Sequence, residues 1–364
     1  MIIGMPKERK DQETRIVILP DFAKHLVDKG HKVLIETGAG LGSGAADREY
    51  LEAGASIVGS PDEIYTGSDF VVKFKDLVPE EFSIPLKEGQ IILASFHLGE
   101  NEKNFPVVNL LKNTKVKALS WELIKTADGK RPVVTYISEL AGSMAPFLAF
   151  HYMLKPYGGA GISLVGMSGL QRPKITILGG GNAGYAAAKV CRGFDADVTI
   201  FEISRARIDF LRNMLPGMGV RLYSREDAES AARESDAFIN TIYPDPNATD
   251  FIIRRETVRQ MKPGSVIIDL VNAKGIETSR YTTISEPSYI EEGVVHVVVD
   301  NLPAMLPKTA SKILSQTARK YVVAIADFGL AKACETYPEL QAALSVIDGR
   351  VVHPDIAATH GIAL

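Results

Sequence analysis

The stretch "ASFHLG", residues 94–99, places His97 directly after the apolar run 91–93. An imidazole in this position either caps a strand as a structural group or carries protons where the strand opens into a site, since imidazole titrates near neutral pH. The stretch alone leaves both interpretations open.

Lys73 and Lys75 alternate in the earlier segment "VVKFK". Alternation puts both lysines on one side of a strand, which is typical of an ordinary edge or rim.

A second chemical signal is "GGGNAG", residues 179–184, which fits the pattern G-x-G-x-x-G. It follows the apolar run "KITIL" and precedes the alanine-rich "YAAAKV", an order that predicts strand, turn and helix. Gly179 would permit the tight turn, Gly181 would let the backbone approach a pyrophosphate, and Gly184 would let helix and strand pack closely. The start of the helix, with Asn182 and Ala183, would offer backbone N–H groups to the phosphates.

Glu202 ends the next strand-like run, "DVTIFE", 23 residues after Gly179. A carboxylate at about this distance accepts hydrogen bonds from the ribose hydroxyls of adenosine, and its charge would repel a 2′-phosphate. The sequence therefore predicts NAD as the cofactor, in preference to NADP. Arg205 and Arg207 leave NADP as an alternative, although such arginines are more often a solvated helix face.

These residues are set in a regular alternation of short apolar strands and helices, which predicts parallel sheets covered on both faces. The fold class we expect is α/β, with two Rossmann-like domains that have parallel doubly wound sheets and are linked by long helices. Residues 1–137 plus 303–364 would form a substrate and catalytic domain, and residues 138–302 a dinucleotide-binding domain. The segment from "SKILSQTARKYVVAIADFG" onwards is expected to be mainly helical.

Composition argues against several kinds of partner. The 364 residues are 46% hydrophobic and 23% charged, with a formal net charge of −3, so neither nucleic acid nor a membrane surface is expected as a partner. Cys191 and Cys334 lie far apart without metal-ligand spacing, and no metal is expected. The opening "MIIGMPKERK" has the reverse of the charge order of a signal peptide. A cytoplasmic location is the expectation.

Several segments, in order along nearly the whole chain, resemble alanine dehydrogenase and its relative, the NAD-binding component of proton-translocating transhydrogenase. They are "GMPKERKDQETRIVILP", "HKVLIETGAGLGSG", "VVKFKD", "SFHLG", "ELIKTADGKRPVVTYISELAG" and "ILGGGNAGYAAA". The resemblance implies NAD-dependent oxidative deamination of a small L-amino acid, with hydride transfer from Cα to nicotinamide. The partners would be a small amino acid or keto acid and further copies of the chain in a homo-oligomer.

The resemblance also implies roles for individual residues. Arg15 matches the arginine that grips the substrate carboxylate, Lys75 the lysine that contacts the carboxylate and the reacting carbon, and His97 the acid–base histidine. Without the resemblance, Arg15 would be assigned to a solvated face with its charged neighbours. Arg15 and Lys75 would lower the pKa of His97 and keep it neutral. Ser138 matches a cofactor contact, and segment 299–309, which includes Asn301 and Leu302, matches the loop near the nicotinamide.

The sequence departs from the family at two chemically important places. Where alanine dehydrogenases carry a second, catalytic aspartate after the strand "GSVIIDLV", this chain has Asn272 or Val271, depending on alignment. Asparagine can hold a water or an amine but cannot titrate. Asp300, before "NLP", resembles the saccharopine-forming reductases, and its carboxylate would either pair with the amino group of a larger substrate or cap a turn.

These departures leave alternatives to the deamination of a primary amine. A secondary-amine dehydrogenase of the saccharopine or opine type would condense a keto acid with an amino acid. A transhydrogenase-type NAD-binding subunit is disfavoured because that branch generally lacks the histidine that stands here as His97. A non-enzymatic NAD-binding protein is the last alternative.

Overall fold

The structure, a computed structural model, describes residues 1–242, 250–271 and 275–364. The strands, in chain order, are β1 (Ile2–Met5), β2 (Lys32–Glu36), β3 (Ser56–Val58), β4 (Phe70–Lys75), β5 (Ile91–Ser95), β6 (Lys117–Ser120), β7 (Lys174–Leu178), β8 (Asp197–Glu202), β9 (Gly219–Leu222), β10 (Ala237–Asn240), β11 (Val266–Asp269), β12 (Ser288–Glu291), β13 (Val294–Val297), β14 (Leu344–Ile347) and β15 (Arg350–Val351). The α-helices are α1 (Pro20–Asp28), α2 (Asp47–Glu52), α3 (Pro61–Gly67), α4 (Phe105–Asn113), α5 (Thr135–Met153), α6 (Asn182–Gly193), α7 (Arg205–Met214), α8 (Arg225–Glu234), α9 (Arg255–Arg259), α10 (Pro307–Thr336), α11 (Pro338–Ala342) and α12 (Pro354–Thr359).

The chain forms two compact units. Unit 1 comprises Met1–Ile137 and Leu306–Leu364, and unit 2 comprises Ser138–Met305. The boundary at residue 137 falls inside α5, and the chain re-enters unit 1 directly before α10. Unit 1 is therefore discontinuous in sequence, whereas unit 2 is one continuous segment.

The sheet of unit 1 has the strand order β15-β14-β6-β5-β4-β1-β2-β3. The pairings among β1 to β6 are parallel, whereas β14 runs antiparallel to β6 and β15 antiparallel to β14. The α/β doubly wound prediction is confirmed, with the addition of an antiparallel edge. The expectation that the segment from residue 311 onwards is mainly helical is confirmed by α10, α11 and α12. The hairpin of β14 and β15 was not expected; a short hairpin can add to a sheet edge without a crossover helix.

The sheet of unit 2 has the strand order β12-β13-β11-β10-β7-β8-β9. Its pairings are parallel except for β12, which forms an antiparallel edge with β13. As in unit 1, an antiparallel strand ends an otherwise parallel sheet.

Apolar side chains cover both faces of each sheet, which is why the parallel strands are nearly continuous hydrophobic runs. In unit 1, Ile91 and Leu93 of β5 belong to one buried cluster, whereas Ile92 and Ala94 belong to another. In unit 2, the strands divide between two clusters in the same way. Among the described residues, no helix is both long and apolar enough to cross a membrane.

Candidate active site

The strand order of unit 1 brings its predicted site residues to one end of the sheet. Strands β1 to β3 extend to one side and β4 to β6 to the other, so the direction of winding reverses between β1 and β4. In such sheets ligands bind beyond the carboxyl ends of the strands at this reversal. Arg15 lies in the segment after β1, Lys75 ends β4, and His97 follows the end of β5 by two residues.

Arg15 is a buried cation with a fixed partner. It is 1% exposed, and its Nε and backbone N–H donate to Glu13 Oε1 at 2.8 and 2.9 Å. The guanidinium carbon also lies 4.4 Å from the centroid of the Phe74 ring, a cation–π distance. The assignment to a solvated face, made without the resemblance, is therefore wrong for this residue.

Lys75 lies against the same ring and follows an irregularity in β4. Its Nζ is 5.8 Å from the Phe74 centroid. From Val72 to Lys75, β4 advances three residues while the paired β5 advances two, so β4 carries one extra residue. A bulge of this kind redirects the side chains that follow it. Arg15 and Lys75 therefore share one neighbour, the ring of Phe74.

Glu8 accepts the amide groups at this bulge. Its Oε1 accepts the N–H of Phe74 at 2.7 Å, and its Oε2 accepts the N–H of Lys75 at 3.3 Å. Burial raises the pKa of Glu8 to about 7, although the charge of Lys73 and the hydrogen bond from Phe74 act in the opposite direction. A buried carboxylate therefore supports the backbone of the residue predicted to contact substrate.

Lys73 has a structural environment. It is 1% exposed, and its Nζ donates to both carboxylate oxygens of Glu81 at 2.9 and 2.7 Å. Trp121 Nε1 donates to the Lys73 carbonyl at 2.7 Å. The edge or rim interpretation is wrong for both Lys73 and Lys75, because β4 pairs on both sides and both side chains are buried.

His97 lies in a tight turn with a left-handed backbone, φ 51°. Its backbone N–H donates to Glu122 Oε1 at 2.8 Å, and its Nδ1 lies 3.0 Å from Glu100 Oε1. The imidazole is 34% exposed. A carboxylate on Nδ1 fixes the orientation of the ring and directs the other nitrogen, Nε2, toward any reacting group.

The charges around His97 raise its pKa above the ordinary value. Burial, the largest single cause, and the charge of Lys75 act to lower it, but the hydrogen bond with Glu100 and the charges of Glu122 and Glu100 together outweigh them. Burial raises the pKa of Glu122. Burial also acts to raise the pKa of Glu100, but the hydrogen bond with His97 and the charges of His97, Lys75 and Arg131 together lower it. The expectation that neighbouring cations lower the pKa of His97 is wrong in its net sign, because sequence reasoning did not place the two carboxylates.

Residues from far downstream support the turn after His97. His360 Nε2 donates to the Leu98 carbonyl at 2.7 Å, and Thr359 Oγ1 donates to the Gly99 carbonyl at 2.8 Å. Both come from the end of α12 or just beyond it. The second segment of unit 1 therefore takes part in shaping the candidate site.

In unit 2, the glycine turn follows β7 at the corresponding reversal of strand order. Gly179 has φ 95°, a left-handed conformation that other residues rarely adopt. A Cβ on Gly184 would lie 1.9 Å from the Gly179 carbonyl oxygen, whereas a Cβ on Gly181 would have no atom within 4 Å. The close contact at Gly184 lets the helix pack on the strand, and the open space at Gly181 leaves room for a pyrophosphate to approach the backbone. Asn182 and Ala183 form the first turn of α6.

Glu202 and Arg207 hold the outer side of this turn. Glu202 Oε2 accepts the N–H of Gly180 at 2.9 Å, and its Oε1 accepts two backbone N–H groups directly after β8. Arg207 Nε donates to the Gly180 carbonyl at 2.6 Å, and its guanidinium stacks on Phe210 at 4.5 Å. Arg207 is therefore not a solvated helix arginine, because it is bonded to the turn itself.

Helix α5 packs against the same turn. A Cβ on Gly142 would lie 2.0 Å from the Ala183 carbonyl oxygen, so α5 requires glycine there. Ser138 precedes Gly142 by four residues on this helix, and positions four apart share one helix face. The face of α5 that carries Ser138 is thus the face that meets the start of α6.

The remaining predicted residues are placed less completely. Asn301 has a left-handed φ of 73°, and Leu302 is 4% exposed with its side chain in the core of unit 2. Asp300 is exposed. Asn272 lies outside the described residues, whereas Val271 donates its N–H to Asp269 Oδ1 at 3.1 Å.

Sequence reasoning missed the carboxylates that surround the basic residues. They are Glu8, Glu13, Glu100 and Glu122. The first two lie in the segment "KERKDQET", where alternating charges suggested a solvated face. The available signal was the high density of charge directly after a strand that is otherwise buried. In the ranges 1–242, 250–271 and 275–364, no group of His, Cys, Asp or Glu is arranged to hold a metal ion.

The chain matches family models over nearly its whole length. The model described as the alanine dehydrogenase/PNT N-terminal domain matches residues 4–141, and the corresponding C-terminal domain matches residues 145–354. The chain belongs to the alanine dehydrogenase/PNT family. It is 35% identical to the alanine dehydrogenase of Bacillus subtilis over 99% of this chain and 95% of the relative, and 36% identical to that of Geobacillus stearothermophilus over 100% and 97%.

Solved structures agree with membership of the alanine dehydrogenase/PNT family. A structure of L-alanine dehydrogenase is 33% identical and superposes with a TM-score of 0.92, covering 99% of both chains. A transhydrogenase structure from Sinorhizobium meliloti, 23% identical with a TM-score of 0.80 over 97% of this chain and 99% of that one, shares the fold. These comparisons do not favour the secondary-amine alternative.

Proposed function

We propose that this member of the alanine dehydrogenase/PNT family is an NAD-dependent dehydrogenase of a small L-amino acid, with alanine as the first substrate to test. The observation that carries the proposal is the contact of Arg15 and Lys75 with the single ring of Phe74, with His97 following the neighbouring strand. Full-length relatives that are named alanine dehydrogenase support the same activity.

Arg15 and Lys75 would bind and orient the substrate carboxylate. A guanidinium already held by Glu13 has a fixed plane, and a planar donor suits recognition of a carboxylate. The cation of Lys75 would stabilise negative charge that develops on oxygen at the reacting carbon. Holding the carboxylate at two points orients the Cα–H bond, and such positioning can lower the activation barrier by several kcal/mol.

His97 would carry the proton. Loss of hydride from Cα leaves an iminium that water attacks, and Nε2 of neutral His97 would take the proton of that water. The protonated ring would then return the proton to the departing amine, and the proton of the added hydroxyl would leave with the ammonia. Alanine with a neutral amino group, water and NAD would thus yield pyruvate, ammonium and NADH. Because Glu100 and Glu122 raise the pKa of His97, oxidation should be favoured at pH values above that pKa, where the base is neutral.

The residues of unit 2 fit a dinucleotide. Gly181, Asn182 and Ala183 would bind the pyrophosphate through their backbone, and Glu202 would accept hydrogen bonds from the ribose. When bound, NAD supplies the acceptor for the hydride from Cα. Ser138, Gly179, Gly184 and Leu302 would shape the cofactor site through packing and backbone contacts. We therefore assign dinucleotide binding to unit 2 and binding of the substrate carboxylate to unit 1.

Three polar residues of unit 2 are also proposed to contact substrate. Asn272 and Asn301 would bind the amine or water without carrying protons, since asparagine does not titrate. The carboxylate of Asp300 would pair with the amino group. This assignment leaves the proton chemistry to His97.

The direct experiment measures NADH formation from L-alanine and NAD by the purified chain. The reverse reaction is followed with pyruvate, NADH and ammonium, and then with lysine or ornithine in place of ammonium. NADP and NADPH replace NAD and NADH in parallel assays. Ammonium-dependent turnover with NADH supports the proposal. Turnover only with an amino acid as the amine donor, or none with any pair, overturns it.

We also infer that the chain assembles into a homo-oligomer. Large apolar side chains between residues 147 and 170 of unit 2 are exposed in the isolated chain, among them Phe147 at 60%, Met167 at 59% and Leu170 at 68%. Exposed large apolar side chains that recur within one short segment are typical of association surfaces. Light scattering coupled to gel filtration would give the mass, and a monomer at micromolar concentration would contradict the inference. The cytoplasmic location stays a prediction.

A further inference from the structure

Three glutamates in unit 1 share one arrangement. Each is at least nine-tenths buried and accepts the backbone N–H of a basic residue that is proposed to meet the substrate. The pairs are Glu13 with Arg15 (N···O 2.9 Å), Glu122 with His97 (2.8 Å) and Glu8 with Lys75 (3.3 Å).

The three basic residues lie where regular backbone pairing ends. Arg15 lies in the loop after β1, Lys75 follows the bulge in β4, and His97 lies in a left-handed turn. Amide groups at such places need an acceptor when they are buried. A glutamate supplies that acceptor in each case, and the hydrogen bond is charge-assisted when the carboxylate is ionised.

Burial makes carboxylates a costly choice for this task. A carbonyl or a water would satisfy an amide without the desolvation of a charge. The repeated use of carboxylates beside cations therefore indicates an electrostatic role as well as a structural one. At Glu122 the second oxygen, Oε2, is buried and has no hydrogen-bond partner among the described residues. Its charge acts directly on His97 and raises the pKa of the imidazole.

We propose that Glu8, Glu13 and Glu122 are positioning residues that hold the backbones of the three basic residues and balance their charge. The proposal rests on the proposed function, since it takes these basic residues to act on substrate. Glu8 and Glu13 set where the carboxylate-binding cations lie. Glu122 sets both the turn at His97 and the pH at which His97 loses its proton.

Glutamine and alanine variants separate holding from charge. Glutamine keeps an oxygen acceptor and removes the charge, whereas alanine removes both. Glu122→Gln should keep the His97 amide protected from hydrogen exchange and lower the pKa of His97, which moves the corresponding limb of the pH profile of kcat/KM to lower pH. Glu122→Ala should also lose the amide protection. The charged groups that face His97 are Glu122, Glu100 and Lys75.

Glu8 should act mainly on substrate binding. Glu8→Ala should raise the KM for alanine about tenfold or more while kcat falls less, because Lys75 is released from its position at the end of β4. Hydrogen exchange of the Phe74 and Lys75 amides should accelerate together. Glu8→Gln should retain part of that protection and part of the low KM, which is rescue by the conservative variant.

The matched control is Glu36→Gln. Glu36 is 5% exposed, accepts the N–H of Lys7 at 2.8 Å and pairs with Arg9, so it repeats the arrangement at basic residues that are not proposed to meet the substrate. Its variant should resemble the parent in the KM for alanine and in pH profile. A change in Glu36→Gln as large as in the Glu8 and Glu122 variants would show a general loss of structure and overturn the proposal.

Hydrogen exchange and an NMR titration of His97 do not require activity, so they separate the two proposals. If the parent oxidises no amino acid, the proposed function fails, while amide protection and the pKa of His97 still report on Glu8 and Glu122. Unchanged amide protection in both alanine variants overturns the positioning role. An unchanged His97 titration in Glu122→Gln overturns the electrostatic role. Glu13→Gln is read by the same measurements if it folds.

Discussion

The two proposed sites are built from different kinds of groups. At the carboxyl ends of the unit 1 strands, the proposed functional groups are charged side chains that pack among other charges. At the carboxyl ends of the unit 2 strands, they are mainly backbone atoms beside open space. Both sites follow the same reversal of strand order. Arg15 and Lys75 are held by buried carboxylates and one aromatic ring, whereas Gly181 has no atom within 4 Å of a would-be Cβ. One sheet topology thus supports recognition by fixed charge and recognition by shape.

The difference has a consequence for tolerance to change. A charged site depends on pairs, so removal of one partner leaves an uncompensated buried charge. A glycine turn depends on the absence of atoms, so damage comes from adding them. In unit 1, the most damaging substitutions should be those that remove a charged partner. In unit 2, they should be those that add atoms to a glycine.

The largest expected effect comes from His97→Gln. Removal of the proposed proton carrier should lower kcat by about 10²- to 10⁴-fold, while NADH affinity stays near that of the parent because unit 2 is unchanged. Steady-state kinetics with alanine and fluorescence titration with NADH measure the two quantities. His25→Gln on α1 is the matched control. Retention of parental kcat in His97→Gln would contradict the acid–base role.

Glu8→Gln should change how stability depends on pH. The folded pKa of Glu8 is raised from 4.5 to about 7, so its favourable contribution is complete below pH 4.5 and is lost as pH rises toward 7. Relative to the variant, the parent should lose up to about 3 kcal/mol of unfolding free energy across this range. Urea unfolding of both proteins at pH 4.5, 6 and 7.5 gives the difference. A difference that stays constant with pH would show that Glu8 does not titrate there.

Two glycine variants test the open-space site of unit 2. Gly184→Ala should lower the thermal midpoint and weaken NADH binding about 10- to 100-fold, or about 1.4–2.7 kcal/mol, because its Cβ meets the Gly179 carbonyl. Gly181→Ala should melt like the parent yet bind NADH more weakly, since its Cβ enters the space assigned to pyrophosphate. Gly193→Ala, also with open space around it, should change neither. Equal NADH binding by Gly181→Ala and the parent would locate the pyrophosphate elsewhere.

The smallest expected effect comes from Arg207→Ala. Loss of its hydrogen bonds to the turn carbonyls should weaken NADH binding a few-fold, by about 1 kcal/mol. NADPH should gain nothing in relative terms, because the guanidinium is engaged by the turn. Arg205→Ala, on the exposed side of the same helix, is the control and should leave NADH binding unchanged. A selective loss of NADPH binding in Arg207→Ala would show that this arginine recognises phosphate.

The two sites also differ in how far the sequence predicts them. The glycine turn is local: strand, turn, helix and Glu202 lie within the 29 residues 174–202, and the packing of Gly184 follows from that order. The site in unit 1 is not local, because Glu122 reaches His97 across 25 residues and Glu8 reaches Phe74 across 66. No spacing rule encodes such contacts. The resemblance to a known family was needed to single out Arg15 and Lys75.

Periodicity predicts the α/β class and the strands but fails for β14 and β15, which lie in a segment dominated by a long helix. The charged neighbours of Arg15 led to its assignment to a solvated face. A pattern of charges in the sequence does not show whether a charged residue is buried together with its partners. The bulge before Lys75 is set by pairing with β5 and by Glu8, neither of which is visible in "VVKFK". The sequence predicts most of the secondary structure, but it does not predict which charged residues pair or the register of neighbouring strands.

The contacts of His360 and Thr359 with the turn after His97 bear on the order in which the molecule is made. During synthesis, unit 2 is complete as a continuous segment before residues 306–364 emerge, and domains generally fold as units. Leu98 and Gly99 are synthesised some 260 residues before their partners arrive. The nascent chain therefore carries a finished unit 2 while the turn after His97 still lacks its support. Proteolytic sensitivity of the 97–104 turn in ribosome-bound chains should end only when α12 has emerged.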